Sequence, residues 1–226
     1  MHDQIPFQDQ PHKKTNATGK HNRFFELYHD LKSIDDSNIV RESKLKNMKG
    51  QWKNSFSDTE SKLYLEIGCH LGKTVNEAAT KYPEGNFVGM DITFKRVVTT
   101  AQRAIQKNLQ NLKSIKLDAK FLDEVFAPNE LDGVMIFYPD PWPKKRHRKN
   151  RLINLDFAKK LKPLISKDGW LWVKMDQEDY FEEVTQALSE SKWKTSNTLP
   201  LDLEPTTFES KFALMDIKKH EGFWRP

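Results

Sequence analysis

Between Phe137 and Arg151 the chain brings a carboxylate, flat aromatic rings and dense positive charge into fifteen residues. Asp140 stands between Pro139 and Pro141, with Pro143 close behind, directly after the apolar run Gly133 to Tyr138. Proline has no amide to give to a sheet, so a strand ending at Tyr138 would leave Asp140 projecting from its carboxyl end. That edge is where open α/β sheets bind ligands. A carboxylate fixed there can accept hydrogen bonds from a base and favour positive charge developing on it. Six of the eight residues from Lys144 to Arg151 are Lys or Arg, and no acidic residue falls between Pro141 and Leu155. Such a field attracts phosphate, and Lys144, Lys145, Arg146, Arg148, Lys149 and Arg151 are expected to track a polyanion backbone. Trp142 or Tyr138 offers a face on which a base can stack.

The elements that must position these groups alternate. Short apolar runs at Leu63 to Gly68, Asn86 to Asp91, Ser114 to Asp118, Gly133 to Tyr138 and Gly169 to Asp176 read as strands. Helical patterns separate them at about Gly72 to Tyr82, Phe94 to Leu109, Arg151 to Leu161 and Glu178 to Ser191. Weaker strand signals at Trp193 to Leu199 and Phe208 to Ile217 close the chain. The expected fold is α/β: a doubly wound, mostly parallel, Rossmann-like sheet of about seven strands with helices on both faces. Residues 1 to about 22 are polar and without apolar periodicity and are expected to form a flexible arm. Residues 23 to 61, with a short helix near Arg23 to Leu31, are expected to form a basic helical extension, and 62 to 226 the main domain.

Composition narrows the class. No stretch approaches the roughly 18 consecutive apolar residues of a membrane-spanning helix, and no apolar segment follows Met1, so a cytoplasmic protein is expected. The one cysteine, Cys69, excludes an internal disulfide and a cysteine-based metal cluster, and the seven histidines show no paired ligand spacing, so no metal is expected.

In this fold Glu66, Asp91, Asp118, Asp140 and Asp176 all fall near the carboxyl ends of strands, which calls for a ligand rich in donors. The turn Gly68 to Thr74 has His70 where a dinucleotide fingerprint needs its second glycine, which excludes nicotinamide. It is one residue short of a P-loop, and that reading, with Asp140 holding a metal, leaves Glu66, Asp91 and Asp118 unexplained. S-adenosyl-L-methionine accounts for them: Asp91 for two ribose hydroxyls, Asp118 for the adenine amine, Glu66 and the Gly68 turn for the cationic methionine end.

Glu66-Ile67-Gly68, Gly89-Met90-Asp91, Asp118-Ala119, the Phe137 to His147 block and Thr206 to Phe212 together resemble the bacterial tRNA (guanine-N7-)-methyltransferase family over roughly residues 62 to 217. The resemblance implies methyl transfer from S-adenosyl-L-methionine to N7 of a variable-loop guanosine, position 46, in tRNA. It implies cofactor contacts at Glu66, Gly68, Asp91, Asp118 and Asp140, and a catalytic role for Asp140. It implies substrate contacts at Lys144, Asp176, Thr206, Thr207, Phe208 and Glu209, in a monomer or homodimer. Two departures stand out: His70 replaces a glycine common in the family's first motif, and the N-terminal arm lacks the family's usual basic pattern. A tRNA-binding module that has lost methyl transfer is the alternative from a different class.

Overall fold

The computed structural model describes residue 26 and residues 38–226. The expected arm over 1–22 therefore lies outside the described residues, as does the helix near Arg23 to Leu31 apart from Glu26. Eight strands form one sheet: β1 (Ile39–Val40), β2 (Lys62–Ile67), β3 (Gly85–Asp91), β4 (Leu112–Lys116), β5 (Leu131–Phe137), β6 (Ile165–Met175), β7 (Lys194–Ser196) and β8 (His220–Arg225). Their spatial order is β1-β4-β3-β2-β5-β6-β8-β7, with every pairing parallel except those of β8 with β6 and β7.

Strands β2, β3 and β5 are buried almost throughout, as expected when helices cover both faces. The two-residue period of a strand divides them. Leu63, Leu65 and Ile67 join Val134, Ile136, Leu171 and Val173 in a core covered by α4 (Leu155–Leu161) and α5 (Glu178–Glu190). Tyr64, Phe87, Met135 and Trp172 face the other way, against α1 (Lys73–Lys81) and α2 (Phe94–Gln106). Glu66 lies on the α1 face by the same alternation. A one-turn helix, α3 (Leu122–Val125), completes the first core.

Two expectations are corrected. The segment Phe208 to Ile217 is not a strand: α6 spans Thr207–Leu214. Thr206 caps it, accepting from the Glu209 amide, while the Glu209 carboxylate takes the Thr206 N–H at 2.7 Å. This reciprocal pair fixes a helix start that the scattered apolar residues do not announce. The closing strand is β8, further on. The described part of the supposed helical extension, 38–61, contains β1 and two 3-10 turns, Glu42–Met48 and Lys53–Ser55. Its lysines point outward while Leu45, Trp52 and Phe56 enter the core. The Trp52 indole donates to the Val125 carbonyl at 2.9 Å and stacks on Phe126 at 5.1 Å.

Gly72 makes the turn into α1 possible. Its φ is +69°, and a β-carbon there would run into the Thr100 side chain on α2. Gly72→Ala should therefore lose about 1–3 kcal/mol from overpacking alone, with further loss from the backbone. Urea unfolding measures it, and an unchanged midpoint would contradict this packing.

Candidate active site

From β2 the chain builds outward through β3 and β4 to one side and through β5 and β6 to the other, so a crevice opens between the carboxyl ends of β2 and β5. Two adjoining cavities occupy it. The larger, about 290 Å³, is lined by Asp91, Asp118, Asp140, Trp142 and Asn150 among others. The smaller, about 130 Å³, is lined by Glu66, Lys73, Thr74, Arg103, Thr206 and Thr207. Gly68, His70, Tyr138 and Phe208 border both. The Phe208 ring meets His70 at 5.9 Å and Tyr138 at 5.7 Å, so an aromatic cluster separates the two spaces.

The turn after β2 shapes the floor. Gly68 and Cys69 both donate their amides to the Met90 carbonyl, at 2.8 and 2.9 Å. Gly68, His70 and Gly72 all have positive φ, and a β-carbon on Gly68 would meet nothing within 4 Å. The Gly68 backbone thus borders open space. His70 adopts this conformation at a cost of about 1–3 kcal/mol, and its amide donates to Asp91 Oδ2 at 3.1 Å. Burial, and then Arg96, press the His70 imidazole below its ordinary pKa.

The acidic residues differ in their surroundings. Glu66 is buried on the α1 face, and its Oε2 has no hydrogen-bond partner. Burial pushes its pKa up to about 8, against the pull of the Val75 amide. Asp91, also buried, accepts from Thr93 N–H at 2.8 Å and from His70 N–H, with Arg96 at 3.4 Å. Asp118 caps a 3-10 turn by accepting from the Lys120 amide and is half-exposed. Asp140 is exposed at the mouth of the larger cavity. Its loop begins where Tyr138 N–H donates to the Lys174 carbonyl at 2.7 Å. Tyr138 and Trp142, on either side of Asp140, have φ of +51° and +43°, a second store of backbone strain.

Around this centre, Thr206, Thr207 and Phe208 line the cavities, whereas Glu209 faces inward. Its carboxylate takes Lys174 at 3.2 Å and Lys219 at 3.3 Å besides the Thr206 amide. Burial opposes its ionisation, but the Thr206 amide and Lys174 prevail and hold it below the ordinary carboxylate value. Asp176, at the end of β6, accepts from its neighbour Gln177 and borders neither cavity. Lys144 is exposed at the start of the 3-10 turn Lys145–Asn150 and borders neither cavity.

The basic run is not uniform. Lys144, Lys145, Arg146 and Lys149 are exposed. Arg148 pairs with Asp179 at 2.7 Å and Glu183 at 3.1 Å. Arg151, expected to face a polyanion, is instead 3% exposed and pairs with the same two carboxylates. Charge spacing alone carried no sign of this, since Asp179 and Glu183 come from α5. The buried Lys174 under the cleft also escaped the sequence reading, because it sits inside an apolar strand run.

A family profile described as a putative methyltransferase matches residues 60–221. A tRNA (guanine-N(7)-)-methyltransferase from Bacillus subtilis is 33% identical over 187 residues, covering 78% of this chain and 87% of the relative. One from Clostridium acetobutylicum is 30% identical over 180 residues, 76% of this chain and 84% of the relative. This chain belongs to the tRNA (guanine-N7-)-methyltransferase family. Solved structures extend the likeness of fold: the aminoglycoside resistance methyltransferase NpmB1 superposes with a TM-score of 0.56 at 14% identity, covering 83% of this chain and 93% of its own. An antibiotic-related methyltransferase gives 0.52 at 15%, covering 81% and 90%. For a member of the tRNA (guanine-N7-)-methyltransferase family, the sheet order and crevice are those of a methyltransferase domain.

Glu66 sets a pH dependence of stability. With a folded pKa near 8 against an ordinary 4.5, the folded chain keeps a proton that the unfolded chain releases, so this group costs stability as pH rises between those values and adds no further change above them. Glu66→Gln should match the parent near pH 4.5 and melt several degrees higher than it at pH 8 to 9. Melting curves across that range test this, and parallel profiles for the two proteins would refute it.

Proposed function

We propose that this protein transfers a methyl group from S-adenosyl-L-methionine to N7 of a guanosine in tRNA, at the variable-loop position 46 favoured by its family likeness. The observation that carries the reading is Asp140, held at the mouth of a cavity shared with Asp91 and Asp118 and followed directly by exposed cations.

The residues fit the cofactor. Glu66 offers a buried, unpartnered oxygen for an ammonium, and the open space over Gly68 lets the backbone approach a ligand. Asp91 retains lone pairs for ribose hydroxyls beyond those already engaged, and Asp118 suits an exocyclic amine. When bound, the cofactor supplies a methyl group activated by a sulfonium.

Guanine N7 carries an in-plane lone pair and needs no base to uncover it, so the chain's task is alignment and charge. Asp140 accepts from the guanine N1–H and exocyclic amine, which turns N7 toward the methyl. Positioning of this kind is worth roughly 7–11 kcal/mol. Its negative charge also favours the positive charge that arrives on the purine. Tyr138 and Phe208 keep water from the reacting atoms, and Trp142, 36% exposed, presents a ring for stacking. Lys144, Lys145, Arg146 and Lys149 hold the RNA backbone, while Thr206 and Thr207 border the substrate nucleotide, with Glu209 and Asp176 supporting from behind.

Incubating the protein with radiolabelled S-adenosyl-L-methionine and unmodified tRNA, then analysing nucleosides, should place label in 7-methylguanosine. tRNA bound without label would favour a binding module instead. Asp140→Asn should keep the fold and tRNA affinity yet lose about 100-fold or more in kcat; near-normal turnover excludes this role for Asp140. Lys144→Ala with Arg146→Ala should raise the KM for tRNA and reduce the log–log salt slope by about 1 per contact removed. An unchanged slope would move the RNA track elsewhere.

A further inference from the structure

We propose that Arg151, although it belongs to the basic run, is a positioning residue that pins the Asp140 loop to α5 rather than a contact for RNA phosphate; this rests on the function proposed above. Its guanidinium is enclosed on every side. Nε donates to the Pro141 carbonyl at 2.9 Å, one residue after Asp140. The two Nη atoms reach Asp179 at 2.9 Å and Glu183 at 2.7 Å. The plane lies over the Tyr180 ring at 4.6 Å, and Tyr180 in turn accepts the Ile153 amide at 2.9 Å. With its side chain only 2% exposed, Arg151 is closed off from solvent: Nε and Nη2 are hydrogen-bonded, and Nη1, buried and without a hydrogen-bond partner, is held by its ion pair to Glu183.

The loop needs such a pin. Prolines at 139, 141 and 143 leave the loop without three amide donors. Among the described residues no other side chain hydrogen-bonds the backbone of residues 139–143. Two left-handed residues, Tyr138 and Trp142, must be held against relaxation. One end is fixed by the Tyr138 amide on the Lys174 carbonyl, the other by Arg151, and Asp140 lies between the two anchors. Only a planar fork can serve a carbonyl and two carboxylates at once, so lysine is not an equivalent here. Arg148 reaches the same carboxylates from the surface with its side chain 42% exposed, and is the member of the pair that can exchange them for phosphate.

The test compares Arg151→Lys with the parent and with Arg148→Ala, on full-length protein and tRNA. Arg151→Lys should lower kcat per folded molecule by tenfold or more, while the KM for tRNA and the salt slope of binding stay within about twofold of the parent; Arg148→Ala should raise that KM. Trypsin cleavage after Lys144 and Lys145 should be several-fold faster in Arg151→Lys, a readout independent of methyl transfer. An inactive parent whose loop is still loosened by Arg151→Lys would refute the proposed function and leave the pin standing. Unchanged cleavage, a lower melting temperature with normal kcat, or a raised KM with a reduced salt slope would each overturn the inference.

Discussion

Parallel pairing of β2 with β5 forces the chain to leave the middle of the sheet in opposite directions, and the cleft is the space that results. Neither strand can continue past this point. β2 turns at Gly68, where two amides converge on one carbonyl of β3, and β5 stops at a block of prolines. Because both faces of these strands are covered, any polar side chain on them is committed to burial unless it stands at the very end. Glu66 shows the cost of standing one position too early: it borders the smaller cavity but is buried and one of its oxygens lacks a partner, whereas Asp91, Asp118 and Asp140 line the larger one.

The site is assembled from strained pieces restrained by stronger ones. His70, Tyr138 and Trp142 take backbone conformations that side chains disfavour, and each lies beside the cleft. The restraints come from opposite sides. Lys174, nearly dry, sits against the rings of Phe137 and Trp172 and holds Glu209, which tethers α6 although no residue of that helix is buried. Asp179 and Glu183 gather the arginines on the other flank. Negative charge thus faces the cavity, and exposed positive charge lies beside it. That division suits a cationic small molecule and a polyanion meeting at one edge.

Much of this was legible in the sequence. Alternating apolar runs announced the parallel sheet, and proline and carboxylate positions marked the edge at which the cleft opens, because strand period and proline chemistry act locally. What stayed hidden depends on partners far along the chain. The fate of Arg151 is decided by two carboxylates on α5, and that of Lys174 by Glu209, neither of which charge spacing reveals. The helix α6 was locally readable through Thr206 and Glu209, three residues apart, but its poor amphipathicity imitates a strand. Leu45 and Trp52 were masked by the lysines around them, so a segment that reads as a basic helical extension contributes to the core.

That last segment does more than fill space. Ile39 and Val40 add a parallel strand to β4, and the Ser114 amide donates to the Asn38 carbonyl at 2.6 Å. Without them β4 would present its outer row of amides and carbonyls to water, the template on which other chains add strands. At the opposite margin only the three residues of β7 lie outermost. The segment before β2 therefore covers part of the sheet's edge, and a protein trimmed to begin at residue 62 would lose that cover together with the indole of Trp52, leaving an open β-edge and an unfilled hole.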